Sequence, residues 1–134
     1  MQVVSADPFL HDLLVKYCDE ALASRAVRRS PFGLSVENAI VTLLPHGHAR
    51  AGDVAQQLGV SQRTLARKLA SEGLTFAGVL QSLRSDLAKR HLTDETLPIS
   101  KIAWLLGYQD VSAFTHAFKR WTGRTPRAVR GESG

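Results

Sequence analysis

The segment that follows Ser61 places four side chains on what would be one face of a helix: Gln62, Arg63, Ala66 and Arg67. An arginine can donate two hydrogen bonds to the edge of a guanine, and a glutamine can pair with an adenine in the same way. An alanine methyl group suits the methyl group of thymine. This face therefore has the chemistry to contact bases in a major groove. Mixed polar residues on a helix also commonly mark a solvated surface, and that interpretation stays open.

A second polar face follows about 49 residues later. We predict base contacts for its first four members and phosphate contacts for the two basic residues that come next, because basic side chains beyond a base-reading face usually bind the backbone. The face includes one histidine, His116. An isolated histidine on a helix is often merely exposed, so its role stays open. The residues are Val111, Ser112, Thr115 and His116 for bases, and Lys119 and Arg120 for phosphates.

Basic residues are concentrated in the C-terminal part of the chain. The net charge of the 134 residues is +5. Residues 1–60 hold five basic and six acidic side chains, whereas residues 61–134 hold twelve basic and six acidic ones. A surface with such an excess attracts polyanions. We therefore expect the C-terminal part to bind duplex DNA mainly through its phosphates.

The two polar faces belong to an internal repeat. Each copy predicts a short helix, a glycine turn and a second helix, with a small alanine where the two helices cross. The offset between the copies changes from 48 to 49 residues after the glycine, where a turn can absorb an insertion. The matching residues are Val54, Ala55, Leu58 and Gly59 with Ile102, Ala103, Leu106 and Gly107, then Leu65 and Leu69 with Phe114 and Phe118.

A long helix is predicted between the copies, from Thr75 to about Leu92, because apolar residues recur on one side of it. At about 1.5 Å per residue it would span about 27 Å, which is comparable to the roughly 34 Å between major grooves that face the same way. Two motifs joined in this way can occupy neighbouring grooves.

Two further helices are predicted ahead of the repeat. Asp7, followed by proline, is a typical helix start, and an apolar stripe then continues to about Ala26. Residues 28–33 mix charge with breakers and predict a linker. Ser35 is expected to cap the next helix, which ends near Leu44.

Two segments resemble the AraC/XylS family of transcription regulators. Residues 107–126 read GYQDVSAFTHAFKRWTGRTP, which is similar to the C-terminal signature of that family, and residues 61–69 read SQRTLARKL, which resembles its first recognition helix. The resemblance covers about residues 35–130. It implies a two-lobed fold of seven helices that binds DNA without a cofactor. Two positions depart from the family: His116 stands where many members carry arginine, and Val129 where an aromatic residue usually precedes the final arginine.

The predicted fold is all-α. It consists of two helix-turn-helix subdomains, homeodomain-like lobes, joined by a long linking helix and preceded by an extra N-terminal helix. Residues 1–33 are expected to be the stub of a sensor or dimerisation domain. Residues 34–131 would form the DNA-binding domain, with its first motif at about 51–72, the linking helix at about 75–92 and the second motif at about 98–122.

The predicted function is that of a bacterial, sequence-specific transcription regulator that reads two successive major grooves of double-stranded DNA with two recognition helices. The resemblance also implies contact with RNA polymerase and an effector-binding domain that this chain lacks. A helical adaptor that binds proteins without reading DNA is the alternative, because the apolar stripe of the first helix has no evident partner.

Catalysis, cofactors, metal ions and membrane insertion are not expected. No nucleophile elbow, phosphate loop or metal-binding helix pair is visible. His46 and His48 share a turn without nearby thiols or carboxylates, which favours surface residues over a metal site. Trp104 and Trp121 are expected in the core, with base stacking as the lesser alternative. With Cys18 as the single cysteine and no long apolar run, a cytoplasmic protein is predicted.

Overall fold

The computed structural model describes residues 30–133, and all regular structure within them is helical, as predicted. A short 3-10 turn, Pro45–Gly47, separates the first two of the seven α-helices in this range. None of these helices is long and apolar enough to cross a membrane. The predicted helix from Asp7 to Ala26 lies outside the described residues. The helices are α1 Pro31–Leu43, α2 Ala51–Leu58, α3 Gln62–Ala70, α4 Phe76–Leu92, α5 Ile99–Leu105, α6 Val111–Thr122 and α7 Pro126–Ser133.

Helix α1 begins earlier than the sequence predicts. Its N-cap is Ser30, whose hydroxyl accepts a hydrogen bond from the backbone N–H of Gly33 at 3.0 Å. Pro31 occupies the first turn, where its missing N–H has no helical partner to lose. The prediction of a linker that continues to Gly33, with Ser35 as the cap of the next helix, is therefore wrong. A serine followed by proline starts this helix because the serine satisfies a first-turn donor and the proline ring already has a helical φ.

The start of α1 is tied to the end of α3. The hydroxyl of Ser30 donates to Oε1 of Glu72 at 2.7 Å, and the ammonium group of Lys68 lies 5.0 Å from the centre of the Phe32 ring. α1 also packs against α2. The first lobe is therefore a three-helix unit in which α1 supports both helices of the first motif.

The repeat positions form the core of the two lobes, because the apolar residues that recur in the sequence are the ones removed from solvent. All of them except Leu58, which is half-buried, are buried. The interpretation of Trp104 and Trp121 as core residues holds in part, since both are half-buried and pack against the core cluster. The buried repeat positions are Val54, Ala55, Leu65 and Leu69 in the first lobe, and Ile102, Ala103, Leu106, Phe114 and Phe118 in the second.

The two glycine turns have the same geometry. Gly59 has φ 72° and Gly107 has φ 88°, values at which a side chain would strain the backbone. In the first turn the N–H of Val60 donates to the carbonyl of Ala55 at 3.0 Å, and in the second the N–H of Tyr108 donates to the carbonyl of Ala103 at 2.9 Å. The repeat seen in the sequence is therefore a repeat of backbone structure as well as of apolar pattern.

The second turn is also the place where the lobes meet. A Cβ atom built on Gly107 would lie 2.6 Å from the carbonyl oxygen of Leu44, so only glycine allows this approach of one lobe to the other. From α4, Arg84 donates through Nε to the carbonyl of Leu106 at 2.9 Å, and its guanidinium lies 4.7 Å from the centre of the Tyr108 ring. The end of α1, the middle of α4 and the second turn thus form one junction.

The far end of α4 is held by the last helix. Arg130 donates to the carbonyl of Asp94 through Nη2 at 3.0 Å and to the carbonyl of Leu92 through Nε at 3.4 Å. A positive charge at the C-terminal end of a helix is favourable because the unpaired carbonyls point toward it. α7 therefore fixes the second lobe to the linking helix.

Stability should fall in acid because of His91, a fully buried residue in the last turn of α4. Burial lowers its pKa from 6.5 to about 4, and the nearby Asp94 carboxylate offsets part of that shift. The unfolded chain binds this proton more readily, so the free energy of unfolding should drop by about 3 kcal/mol between pH 7 and pH 4 through this group. Urea denaturation at several pH values would measure the drop.

The matched variants for this measurement are His91→Leu, which removes the buried imidazole, and His116→Gln, which replaces an exposed side chain on α6. In His91→Leu the free energy of unfolding should change less with pH between pH 6.5 and 4. In His116→Gln it should change as much as in the parent chain. Equal slopes for both variants and the parent chain would show that the acid sensitivity comes from elsewhere.

Candidate nucleic-acid interface

Helix α3 is anchored through one face and open on the other. Its N-cap Ser61 accepts a hydrogen bond from the backbone N–H of Thr64 at 3.1 Å, which fixes where the helix begins. Leu65 and Leu69 are buried against the lobe. Four exposed residues lie at the predicted base-contact positions, Gln62, Arg63, Ala66 and Arg67.

Gln62 differs from the other three residues of this face. Its side chain lies over the N-terminal turn of α2, where a Cβ atom on Gly52 would be 2.9 Å from Nε2 of the glutamine. Gly52 thus leaves the space that this amide occupies. In this conformation Gln62 covers the start of α2, so it reaches less far outward than a free glutamine would.

Helix α6 has the same design with a different cap. Asp110 accepts a hydrogen bond from the N–H of Ala113 at 2.8 Å, and Phe114 and Phe118 face the core. The extra residue of the second copy is Gln109, between the turn and this cap. The offset of 49 residues therefore places Asp110 where the first copy has Ser61.

The predicted contacts of α6 are accessible to unequal degrees. Thr115 is half-buried, at the edge of a depression that it shares with Val111 and the first turn of α7. Val111 is 39% exposed, which is unusual for a large apolar residue in the described part of the chain. The remaining predicted contacts on α6 are exposed: Ser112, His116, Lys119 and Arg120.

The outer faces of both helices are positively charged. Neither α3 nor α6 contains an aspartate or glutamate within its bounds. Three basic residues lie on α3 and two in the last turn of α6, and the cap Asp110 is engaged with a backbone N–H. Such faces favour an anionic partner, and the guanidinium groups on α3 have the geometry for bidentate contacts.

Arg84 is a positioning residue that sequence reasoning missed. It is one of several basic residues on α4, and nothing in the local pattern separates it from Lys89 or Arg90. Its guanidinium holds the carbonyl of Leu106 and the ring of Tyr108, directly before α6. The position of the second helix pair relative to α4 therefore depends on this side chain.

The two histidines of the turn after α1 are His46 and His48. His48 is exposed, and no group of three or more His, Cys, Asp or Glu residues in this range is placed to hold an ion. The structure does not describe the side chain of His46.

Two helix pairs with glycine turns, joined by a long helix and each presenting an outer face free of acidic residues, define a double helix-turn-helix DNA-binding domain. A family model described as a helix-turn-helix domain matches residues 54–132, which is more than half of the chain. The chain belongs to this family, the AraC-type helix-turn-helix family of DNA-binding transcription regulators.

Similar proteins are bacterial regulators. The HTH-type transcriptional regulator VirS of Mycobacterium tuberculosis is 42% identical over 92 residues, which make up 69% of this chain and 27% of VirS. The ornithine utilization regulator of Pseudomonas aeruginosa is 43% identical over 88 residues, or 61% of this chain and 26% of that protein. The chain thus spans about a quarter of the length of these curated relatives.

A solved structure shares the fold. The C-terminal domain of AraT, a response regulator from Geobacillus stearothermophilus, superposes with a TM-score of 0.69 at 30% identity. The match covers 78% of this chain and 88% of that one. The seven described helices therefore have the arrangement of an AraC-type DNA-binding domain.

Proposed function

We propose that this chain binds double-stranded DNA sequence-specifically and regulates transcription by placing α3 and α6 in two successive major grooves. The observation that carries the proposal is the duplicated helix pair whose second helix, in both copies, has an exposed face without acidic residues. The junction at Gly107 and the contacts of Arg84 support it further, because they hold the two helices in one fixed relation.

The two half-sites receive different side chains in this proposal. α3 offers two arginines that can bond guanine, whereas α6 offers hydroxyl, imidazole and methyl groups. The first half-site should therefore dominate base discrimination, and the second should contribute more through backbone and shape. The assigned base contacts are Gln62, Arg63, Ala66 and Arg67 on α3, and Val111, Ser112, Thr115 and His116 on α6. The assigned phosphate contacts are Lys119 and Arg120.

The remaining assignments follow from the same proposal. Residues 34–131 act as the DNA-binding domain, and residues 1–33 are the stub of a sensor or dimerisation domain. RNA polymerase is the proposed protein partner. The chain acts in the cytoplasm by binding, without an enzymatic step or a cofactor.

Binding should be strongly salt-dependent. With about five phosphate contacts, a plot of log affinity against log salt concentration should have a slope of roughly −4 to −5, because each neutralised phosphate releases counterions. Fluorescence anisotropy with a labelled duplex of random sequence would measure this slope.

The Lys119→Ala variant supplies the internal control, since loss of one phosphate contact should make the slope shallower by about 1. Salt-independent binding, or no binding even at low salt, would contradict the proposal. The second result would favour the protein-binding adaptor.

A further inference from the structure

A continuous strip of surface connects the N-terminal ends of α3 and α6. Near α3 it is a shallow depression between Gln62, which opens that helix, and the start of α2 at Arg50 and Gly52. Near α6 it is a cleft between the lobes. Arg50 borders both the depression and the cleft and is the residue at which the two adjoin.

The cleft ends at the second recognition helix. It is bordered by His48 on the first lobe and by Tyr108 and Gln109 on the second, and Gln109 directly precedes the N-cap of α6. We name the whole surface the inter-lobe strip and define it by Gln62, Gly52, Arg50, His48, Tyr108 and Gln109.

Arg50 is the prominent cation of this strip. Its side chain is 73% exposed, and Nε lies 3.4 Å from Oδ2 of Asp53. An exposed ion pair of this kind is weak, so another anion can replace the carboxylate. The backbone at Arg50 is fixed, because its carbonyl accepts a hydrogen bond from the N–H of Val54 at 2.9 Å. Gly52 lines the depression and Gly47 and Gly107 line the cleft, so these three positions add no side chain to the strip.

The location of the strip determines which part of the DNA it would meet. Two successive major grooves on one face of B-DNA are separated by one minor groove on that face. Recognition helices usually enter the major groove through their N-terminal residues. A surface that runs from the N-terminus of α3 to the N-terminus of α6 therefore lies over the intervening minor groove, a step that rests on the proposed function.

We propose that Arg50 inserts into this intervening minor groove and makes binding sensitive to the width of the groove, and so to base pairs that neither recognition helix contacts. A·T-rich DNA has a narrow minor groove with enhanced negative potential, which attracts arginine. Arginine suits the site better than lysine because the guanidinium is more weakly hydrated and is less costly to bring into a groove. The operator should therefore prefer an A·T-rich segment between its two half-sites.

The test uses duplexes that share both half-sites and differ only in the segment between them. Three segments are compared: A·T-rich, G·C-rich, and one in which inosine replaces the guanines. Inosine lacks the amino group that guanine presents in the minor groove and leaves the major-groove edge unchanged. The chain should bind the A·T and inosine duplexes on the order of fivefold more tightly than the G·C duplex.

Three variants test whether Arg50 causes the preference for the A·T and inosine duplexes. Arg50→Ala should remove it, and Arg50→Lys, which keeps the charge, should retain less than half of it on a logarithmic scale. Lys89→Ala is the matched control, because Lys89 is an exposed basic residue on α4 that borders neither the depression nor the cleft. It should keep the full preference. Circular dichroism would check that each variant is folded.

The outcomes separate this proposal from the one on which it rests. If the chain binds no duplex specifically, the proposed function itself fails. If binding is specific but indifferent to the intervening segment, only the role of Arg50 is wrong. A uniform loss of affinity in Arg50→Ala with the preference intact would make Arg50 a phosphate contact and would also overturn the proposal.

Discussion

Inserting five base pairs between the two half-sites is expected to lower the affinity of the chain on the order of a hundredfold. Five base pairs rotate the second major groove by about half a turn, so α6 would face the wrong side of the duplex. The chain cannot follow this rotation, because Gly107 packs against the carbonyl of Leu44 and Arg84 fixes the turn before α6. Competition binding with the parent and lengthened duplexes would measure the loss, and footprinting would reveal whether one or two grooves are protected.

An insertion of ten base pairs is the informative control. It returns the second major groove to the same face of the duplex but moves it about 34 Å further away. That distance is beyond the reach of the 17-residue linking helix, which is about 26 Å long. A rigid pair of lobes should therefore lose affinity with either insertion, and full affinity for the longer duplex would show that the lobes can move apart. Arg84→Ala should loosen the junction between the lobes. The difference in affinity between the parent and the lengthened duplexes should therefore become smaller. A footprint over a single groove, or full affinity after the half-turn shift, would show that the lobes do not read two grooves together.

Replacing Arg63 or Arg67 by alanine is expected to cost about 1–3 kcal/mol of binding free energy on the preferred site, or about 5-fold to 150-fold in affinity. Both side chains are exposed on α3 beside buried Leu65, which fixes the direction of the helix face. Loss of a bidentate contact should also relax the choice of base at the affected position. Affinity measured on a panel of single-base variants of the site would show both effects.

Lys119→Ala is the matched control for the arginine variants. It removes one exposed positive charge from the last turn of α6, so it should weaken specific and random duplexes by the same factor. The assignment would be contradicted if all three variants lost equal affinity on specific and random DNA. In that case the arginines on α3 would be phosphate contacts.

The helices α3 and α6 were predictable because their signals are local. Buried positions recur one turn apart in α3 and α6, and the residues between them must then be exposed, whatever the rest of the fold does. The glycines at 59 and 107 were identifiable for the same reason, since a short helix followed by glycine and a second helix predicts a left-handed turn. The start of α1 also has a local signal, but serine and proline occur in linkers as well as at helix starts, and here Ser30 caps the helix and Pro31 opens it.

The relation between the lobes was decided by tertiary structure alone. Arg84 and Leu106 are 22 residues apart, and Gly107 approaches Leu44 from another lobe. A periodic pattern reports which side of an element is buried, but it carries no information about which distant backbone that side will meet. The placement of Gln62 over Gly52 and the exposure of Arg50 between the two motifs follow from the same packing. The sequence by itself therefore determined which helices present polar faces, while the packing of α1, α4 and the second turn decided how those faces stand relative to each other.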